Sequence, residues 1–192
     1  MLPGKRVMLR AIERQDLEAL NSWWNDPDLS ALLGTRRHVS SLEETEAWYD
    51  AILTRVEPNE GRTYAICDAA DGHLLGTAWY GSFDAQDRNV EVGLYLGQVE
   101  DRGRGLGTET LALLLSYLFE DLGAHKVRLL VLSDNDRAVR CYEGVGFQRE
   151  GVLRHHRFFA GRHHDFVAMG ILASEHITRG LDGTQEDTGR NR

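Results

Sequence analysis

The feature that most constrains this chain is a glycine-dense turn placed between an apolar strand and an apolar-periodic helix. Val90-Glu91-Val92-Gly93-Leu94-Tyr95-Leu96 leads into Arg102-Gly103-Arg104-Gly105-Leu106-Gly107-Thr108. After it Leu111, Leu114, Leu115 and Leu118 recur at helical spacing. Closely spaced glycines let a backbone turn tightly and approach a ligand with no Cβ in the way. A helix that starts there leaves N–H groups without intrahelical acceptors and points the positive end of its dipole outward. Such a helix mouth suits phosphate. Two familiar phosphate loops do not fit. The P-loop needs a Lys-Ser/Thr pair after its last glycine, and Thr108-Glu109 stands there. The dinucleotide fingerprint needs G-x-G-x-x-G, whereas Gly103, Gly105 and Gly107 are spaced two and two.

The pattern left over is Arg102-x-x-Gly105-x-Gly107, and a second signature follows it by one helix and one strand: Asn135-x-x-Ala138-x-x-x-Tyr142-x-x-x-Gly146-Phe147. In that order the two resemble the GNAT superfamily of acyl-CoA N-acyltransferases, whose pyrophosphate loop is written Q/R-x-x-G-x-G/A. The resemblance runs from Lys5 to Ala173 and is nearest to the branch of the RimJ/RimL ribosomal-protein N-terminal acetyltransferases and the spermidine acetyltransferases. It implies an α/β (α+β) GNAT fold, with a mixed, mostly antiparallel central sheet flanked by helices. It also implies acetyl-CoA-dependent N-acetylation of a primary amine, by direct transfer in a ternary complex. The expected acceptor is a protein N-terminus, with a polyamine or amino sugar as the alternative. A non-catalytic CoA-binding or metal-binding module is the remote one. Dimers are common among such relatives, so a homodimer is an open expectation.

Composition bounds the rest. The 192 residues, 42% hydrophobic and 27% charged, suit one soluble domain, expected over 1–175. No apolar run approaches a membrane span, and Met1-Leu2-Pro3-Gly4-Lys5-Arg6 lacks the apolar core of a signal peptide. Cys67 and Cys141 form no disulfide framework and no metal pair, so cytoplasmic residence is expected. A formal charge of −8 argues against a nucleic-acid partner. It is compatible with a cationic substrate, although many acidic proteins are acidic only for solubility.

Along the chain, Val7–Arg10 reads as a strand and Asp16–Trp24 as a helix that Asn25-Asp26-Pro27-Asp28 ends. Ser41-Leu42-Glu43-Glu44 matches a capping box and starts a second helix. Tyr64–Cys67, Leu74–Tyr80 and Val90–Leu96 form a meander, and Val127–Leu132 is a central strand. The motif helix from Asn135 to Val145 is expected to be capped near Ser133 or Asp134. Phe147–His156 and His164–Leu172 form a hairpin about Ala160-Gly161, and 176–192 reads as a disordered tail.

By resemblance, backbone N–H groups from Arg104 to Thr108 wrap the diphosphate, with charge added by Arg102 and Arg104. Gly103, Gly105, Leu106 and Gly107 complete the loop. Glu100 and Asp101 oppose phosphate and are expected to point outward. Pantetheine adds as a strand to Leu94-Tyr95-Leu96, in a wedge opened by an irregularity at Gly93. Asn135 hydrogen-bonds the pantetheine arm, caps its helix, or does both. Tyr142 donates its proton to the departing sulfur, and Glu91 or ordered water removes the proton of the amine. Cys141 reads as a packed thiol. Trp23, Trp24, Trp48 and Tyr49 either wall the acceptor pocket or pack in the core. His155, His156, His163, His164 and Asp165 offer metal-ligand types, but alternation along strands limits them to a cross-strand pair, so no metal is expected. Phe158-Phe159 would be exposed unless it packs on the pocket or a second subunit.

Overall fold

The computed structural model describes residues 1–176 apart from 38, 56, 58, 59, 82 and 85. From 177 onward the expected tail lies outside the described residues. The elements are β1 (Leu2–Pro3), β2 (Val7–Ala11), α1 (Leu17–Trp24), α2 (Pro27–Leu32), α3 (Leu42–Leu53), β3 (Arg62–Asp68), β4 (Leu74–Tyr80) and β5 (Asn89–Leu96). After these come α4 (Leu106–Ser116), β6 (Lys126–Leu132), α5 (Asp136–Val145), β7 (Gln148–Phe159) and β8 (Arg162–Leu172). The strands form one eight-stranded sheet in the order β1-β2-β3-β4-β5-β6-β8-β7. Every neighbouring pair is antiparallel except β5 with β6. This is the mixed, mostly antiparallel sheet that the motifs imply.

Strand alternation sends one side chain to each face, and each face has its own core. On one face Val90, Val92, Val127 and Leu129 pack against Leu111, Leu114, Leu115 and Leu118. These four leucines are the periodic ones, and each is at most 1% exposed. On the other face Ala65 and Cys67 meet Leu17, Leu20 and Trp23 of α1. Helix α4 runs into a π-helical turn, Tyr117–Asp121, which ends at Gly123 with φ +64°.

Two local expectations change. Asn25-Asp26-Pro27 does end α1, but it also starts α2: the Asp26 side chain accepts the Asp28 N–H at 2.8 Å, and Pro27 takes the first helical position. The cap of α5 is neither Ser133 nor Asp134 but Asn135, in the capping role also read for it: its Oδ1 accepts the Ala138 N–H at 3.1 Å. The capping box at Ser41 is present as read. The hairpin of β7 and β8 extends to a two-residue turn, Ala160 (φ +50°) and Gly161 (φ +77°), the left-handed pair that matches strand twist.

Candidate active site

The sheet opens between its two parallel strands. Pairing of β5 with β6 is confined to Asn89, Val90 and Glu91 against Lys126, Val127 and Arg128. Beyond that point β5 stays with β4 as far as Leu96, and β6 stays with β8 as far as Leu132. Each strand keeps its outer neighbour, so the two halves separate. Val92–Leu96 and Leu129–Leu132 then each turn a backbone edge toward the gap. The irregularity expected at Gly93 is absent, because the β4–β5 register runs unbroken from Tyr80↔Val92 to Gly76↔Leu96. Gly93 serves packing instead. A Cβ there would come within 2.6 Å of the Trp79 indole, which lies across the strand.

At the end of β5 the chain makes a 3-10 turn (Val99–Asp101) and enters the glycine loop. Gly103 and Gly105 have φ of +81° and +80°, conformations that an L side chain rarely adopts. Gly105 is the N-cap of α4 and supplies no side-chain cap. Among the described residues the first N–H of this segment to bond back is that of Glu109, to the Gly105 carbonyl at 3.2 Å. The amides from Gly103 to Thr108 therefore remain available, at the positive end of the helix dipole. A diphosphate fits this mouth.

The arginines behave differently from expectation. Arg102 donates from Nε to the Leu96 carbonyl at 3.1 Å and from Nη2 to that of Gly97 at 2.6 Å. It pins the loop to the end of β5, which occupies donors expected to face phosphate. Arg104 pairs with Asp101 at 3.2 Å, and this side chain of Asp101 is only 13% exposed. Asp101 is thus neutralised by pairing and does not point outward, whereas Glu100 is exposed as expected. Two residues with no place in either motif meet here. Arg6 donates from Nη1 to the Arg104 carbonyl at 2.8 Å and from Nε to Glu109 at 3.0 Å. Burial opposes the charged form of Glu109. Hydrogen bonds from the Arg6 amide and guanidinium and the Val7 amide outweigh it and hold the carboxyl below its usual range.

The second motif meets the loop. A Cβ at Gly107 would lie 3.7 Å from Leu94 Cδ1 and 3.8 Å from Cys141 Sγ, so β5, α4 and α5 converge there. Thr108 Oγ1 and Cys141 Sγ are 3.3 Å apart. Burial pushes the Cys141 thiol up, against the Thr108 contact, which keeps it protonated. Asn135 caps α5 and also donates from Nδ2 to the Leu32 carbonyl at 3.1 Å, joining α5 to α2. Tyr142 is buried in the cluster that holds Leu106, Val131 and Val139, with Phe147 edge-on at 5.8 Å. Burial first, and then Cys141, raise its pKa, so the phenol stays protonated.

Glu91 stands apart from these groups. It is the last β5 residue paired across the split, opposite Arg128, whose Nη2 lies 3.8 Å from Glu91 Oε2. Both line a cavity of about 590 Å³ with Trp79, Phe83, Asp84 and Asp87. Among the aromatics, Trp23 is buried edge-on to Tyr95, against Gly97. Trp24 stacks edge-on to Trp48 and donates from Nε1 to Tyr95 Oη at 2.8 Å. Burial pushes the Tyr95 phenol up, opposed by the Thr77 and Trp24 contacts. Tyr49 lies under Arg14.

In the hairpin, β7 bulges between Leu153 and Arg157, with His155 at φ +52° and its N–H bonded to Asp165 at 2.8 Å. His155 stacks on His163 across the strands, and His164 stacks on Phe159 at 3.7 Å. Phe159 is buried and Phe158 is half exposed. Among the described residues no group of three or more His, Cys, Asp or Glu side chains is placed to hold a metal ion. Nor is any helix among them long and apolar enough to cross a membrane.

Comparison with known proteins decides the family. The model described as "Acetyltransferase (GNAT) domain" matches residues 6–148, most of the chain. The chain belongs to the GNAT acetyltransferase family. This GNAT enzyme is 29% identical to the spermidine N(1)-acetyltransferase of Vibrio cholerae over 176 residues, 92% of this chain and 98% of that one. It is 26% identical to the spermidine N(1)-acetyltransferase of Escherichia coli (strain K12), covering 89% of this chain and 88% of that one. It is 30% identical to a provisionally named ribosomal N-acetyltransferase of Bacillus subtilis, covering 90% and 94%. The solved Vibrio cholerae spermidine N-acetyltransferase in complex with CoA and spermine superposes with a TM-score of 0.82 at 28% identity, over 91% of this chain and 99% of that one. As a GNAT acetyltransferase the enzyme takes its acetyl group from acetyl-CoA. The open amides of the glycine loop and the unpaired strand edges of the wedge suit that donor's diphosphate and its peptide-like arm.

Proposed function

We propose that this enzyme acetylates a primary amine of a small polycation, by direct transfer in a ternary complex. The observation that carries the acceptor class is the cavity beside Glu91 and Arg128, the last paired residues of the parallel strands. Asp84, Asp87 and Glu91 line it with Arg128, the one cation among its described lining residues, and Trp79 is an apolar and π-rich wall. Acidic groups beside an aromatic face suit a chain of ammonium groups. Similarity to spermidine acetyltransferases over nearly the full length supports the same class.

In this reading the N–H groups from Gly103 to Thr108 hold the diphosphate, and the edge Leu94-Tyr95-Leu96 receives the pantetheine amides. An aliphatic ammonium of pKa about 10 must lose a proton before its nitrogen can attack. Glu91 takes that proton, directly or through water. As the nitrogen bonds the acetyl carbon, the carbon–sulfur bond breaks and its electron pair goes to sulfur. Tyr142, kept protonated by burial, supplies the proton that sulfur takes, and the proton that the nitrogen sheds on becoming an amide returns the tyrosine to its phenol form. A second reading, a protein N-terminal amine, draws on the likeness to the provisionally named ribosomal N-acetyltransferase.

The test is an acceptor screen with acetyl-CoA as donor, comparing spermidine and spermine with peptides that bear free N-termini. Acetyl transfer to the polyamines with kcat/KM well above the peptides supports the proposal. The opposite order overturns it in favour of the second reading. Glu91→Gln should lower kcat on the preferred acceptor by roughly 100-fold; an unchanged kcat leaves proton removal to water alone.

A further inference from the structure

Six amides in a glycine-rich turn can grip an anion only if they point the same way, and glycines do not hold a peptide plane by themselves. Gly103 and Gly105 are both exposed and both left-handed. The Arg104–Gly105 peptide, between them, is held from outside the loop. Arg6 Nη1 donates to the Arg104 carbonyl at 2.8 Å. In a trans peptide the C=O and the following N–H point in opposite directions, and no cis bond occurs among the described residues. With its carbonyl fixed toward Arg6, this peptide must aim the Gly105 N–H away from Arg6. The reverse orientation would present a carbonyl oxygen to the anion.

The strap is anchored at its other end. Glu109 Oε2 accepts Arg6 Nε at 3.0 Å, and Oε1 accepts the backbone N–H groups of Arg6 at 2.7 Å and Val7 at 3.3 Å. The preceding turn is packed tightly on α4: a Cβ at Gly4 would lie 2.5 Å from the Val7 carbonyl oxygen and 2.8 Å from Leu113 Cδ1. Arg6 and Glu109 largely cancel each other's charge, so what the pair adds to the loop is direction.

We infer that Arg6, held by Glu109, is a positioning residue that fixes the Arg104–Gly105 peptide so that the cradle's amides converge on the diphosphate of the donor. This rests on the diphosphate reading of the loop. The fork geometry is essential to it, and a lysine offers only a point charge.

The experiment measures Kd for coenzyme A and for pantetheine, which lacks the diphosphate, in wild type, Arg6→Ala, Arg6→Lys and Glu109→Gln. A urea midpoint for each variant checks the fold. The expected result is a loss of coenzyme A affinity of roughly tenfold in all three variants, the factor that one charge-assisted hydrogen bond carries. Pantetheine affinity should stay unchanged, whereas general damage to the fold would weaken both ligands together. Tighter coenzyme A binding in Glu109→Gln, or full rescue by Arg6→Lys, would show that Arg6 acts as a bare charge and overturn the inference. Undiminished binding in Arg6→Ala would overturn it too. If the wild type shows no preference for coenzyme A over pantetheine, the cradle reading itself fails, and the inference falls with it.

Discussion

Replacing glycines by alanine at three positions separates backbone conformation from packing. Gly103 has φ +81°, and an added Cβ would meet no atom within 4 Å. Its alanine variant therefore carries only the left-handed penalty, about 1–2 kcal/mol. The reduced entropy of the unfolded chain offsets roughly 0.4–1 kcal/mol of that. The net expectation is a destabilisation of about 1 kcal/mol. Gly105 has φ +80°, and its Cβ would stand 3.1 Å from Arg6 Nη2. Gly105→Ala should cost more than Gly103→Ala because the guanidinium must shift and its bond to Arg104 weakens. Gly144 lies within α5, outside the positive-φ set, and its Cβ also meets nothing within 4 Å. Gly144→Ala should stabilise by about 0.5–1 kcal/mol through helix propensity. Urea unfolding with unchanged m-values reads all three directly. Calorimetry should show weaker coenzyme A binding in the two loop variants and unchanged binding in Gly144→Ala. If Gly103→Ala were as stable as Gly144→Ala, the left-handed turn would not exist in solution, and the argument from open amides would fail with it.

Three further outcomes follow from the structure. Tyr142→Phe should lower kcat by about 100-fold or more at pH 7 with little change in KM for acetyl-CoA, and an unchanged kcat would remove the tyrosine from proton transfer. Burial raises the pKa of Tyr80 and Tyr142 in the folded protein. Their contribution to stability is therefore intact below the unfolded value near 10 and declines above it, by about 1.4 kcal/mol per pH unit per tyrosine. Denaturant midpoints between pH 9 and 11 check this, and a flat profile refutes it. Arg10 grips the 4%-exposed Asp16 through two bonds of 2.7 and 2.8 Å. Arg10→Ala strands that carboxylate and should destabilise the fold by about 3 kcal/mol, measured by thermal unfolding.

What the sequence reveals here is what short-range chemistry encodes. The glycine loop, the four leucines of α4, the capping box at Ser41 and the Ala160-Gly161 turn each sit within a few residues of the feature they specify. The family resemblance adds the mixed, mostly antiparallel sheet. Asp26-Pro27 was also legible, since a capping side chain followed by proline marks a helix start as well as a helix end. Gly93 was not, because its small size answers to Trp79 in the neighbouring strand. The pairing of Arg6 with Glu109 spans 103 positions and carries no motif. The partners of Arg102 were hidden for a related reason. Its charge suggests phosphate, yet the fold places the carbonyls of Leu96 and Gly97 nearer. Spacing shows which side chains are present in a loop, but only the packed fold determines what each one reaches first.

The central claim is that the main-chain amides at the start of α4 hold the donor's diphosphate. Amide hydrogen exchange, followed residue by residue with and without saturating coenzyme A, tests it most directly. The account predicts fast exchange from Gly103 to Thr108 in the free enzyme and strong protection of the same amides in the complex. Protection already present without ligand, or exchange there unchanged by coenzyme A while the ligand binds elsewhere, would contradict it.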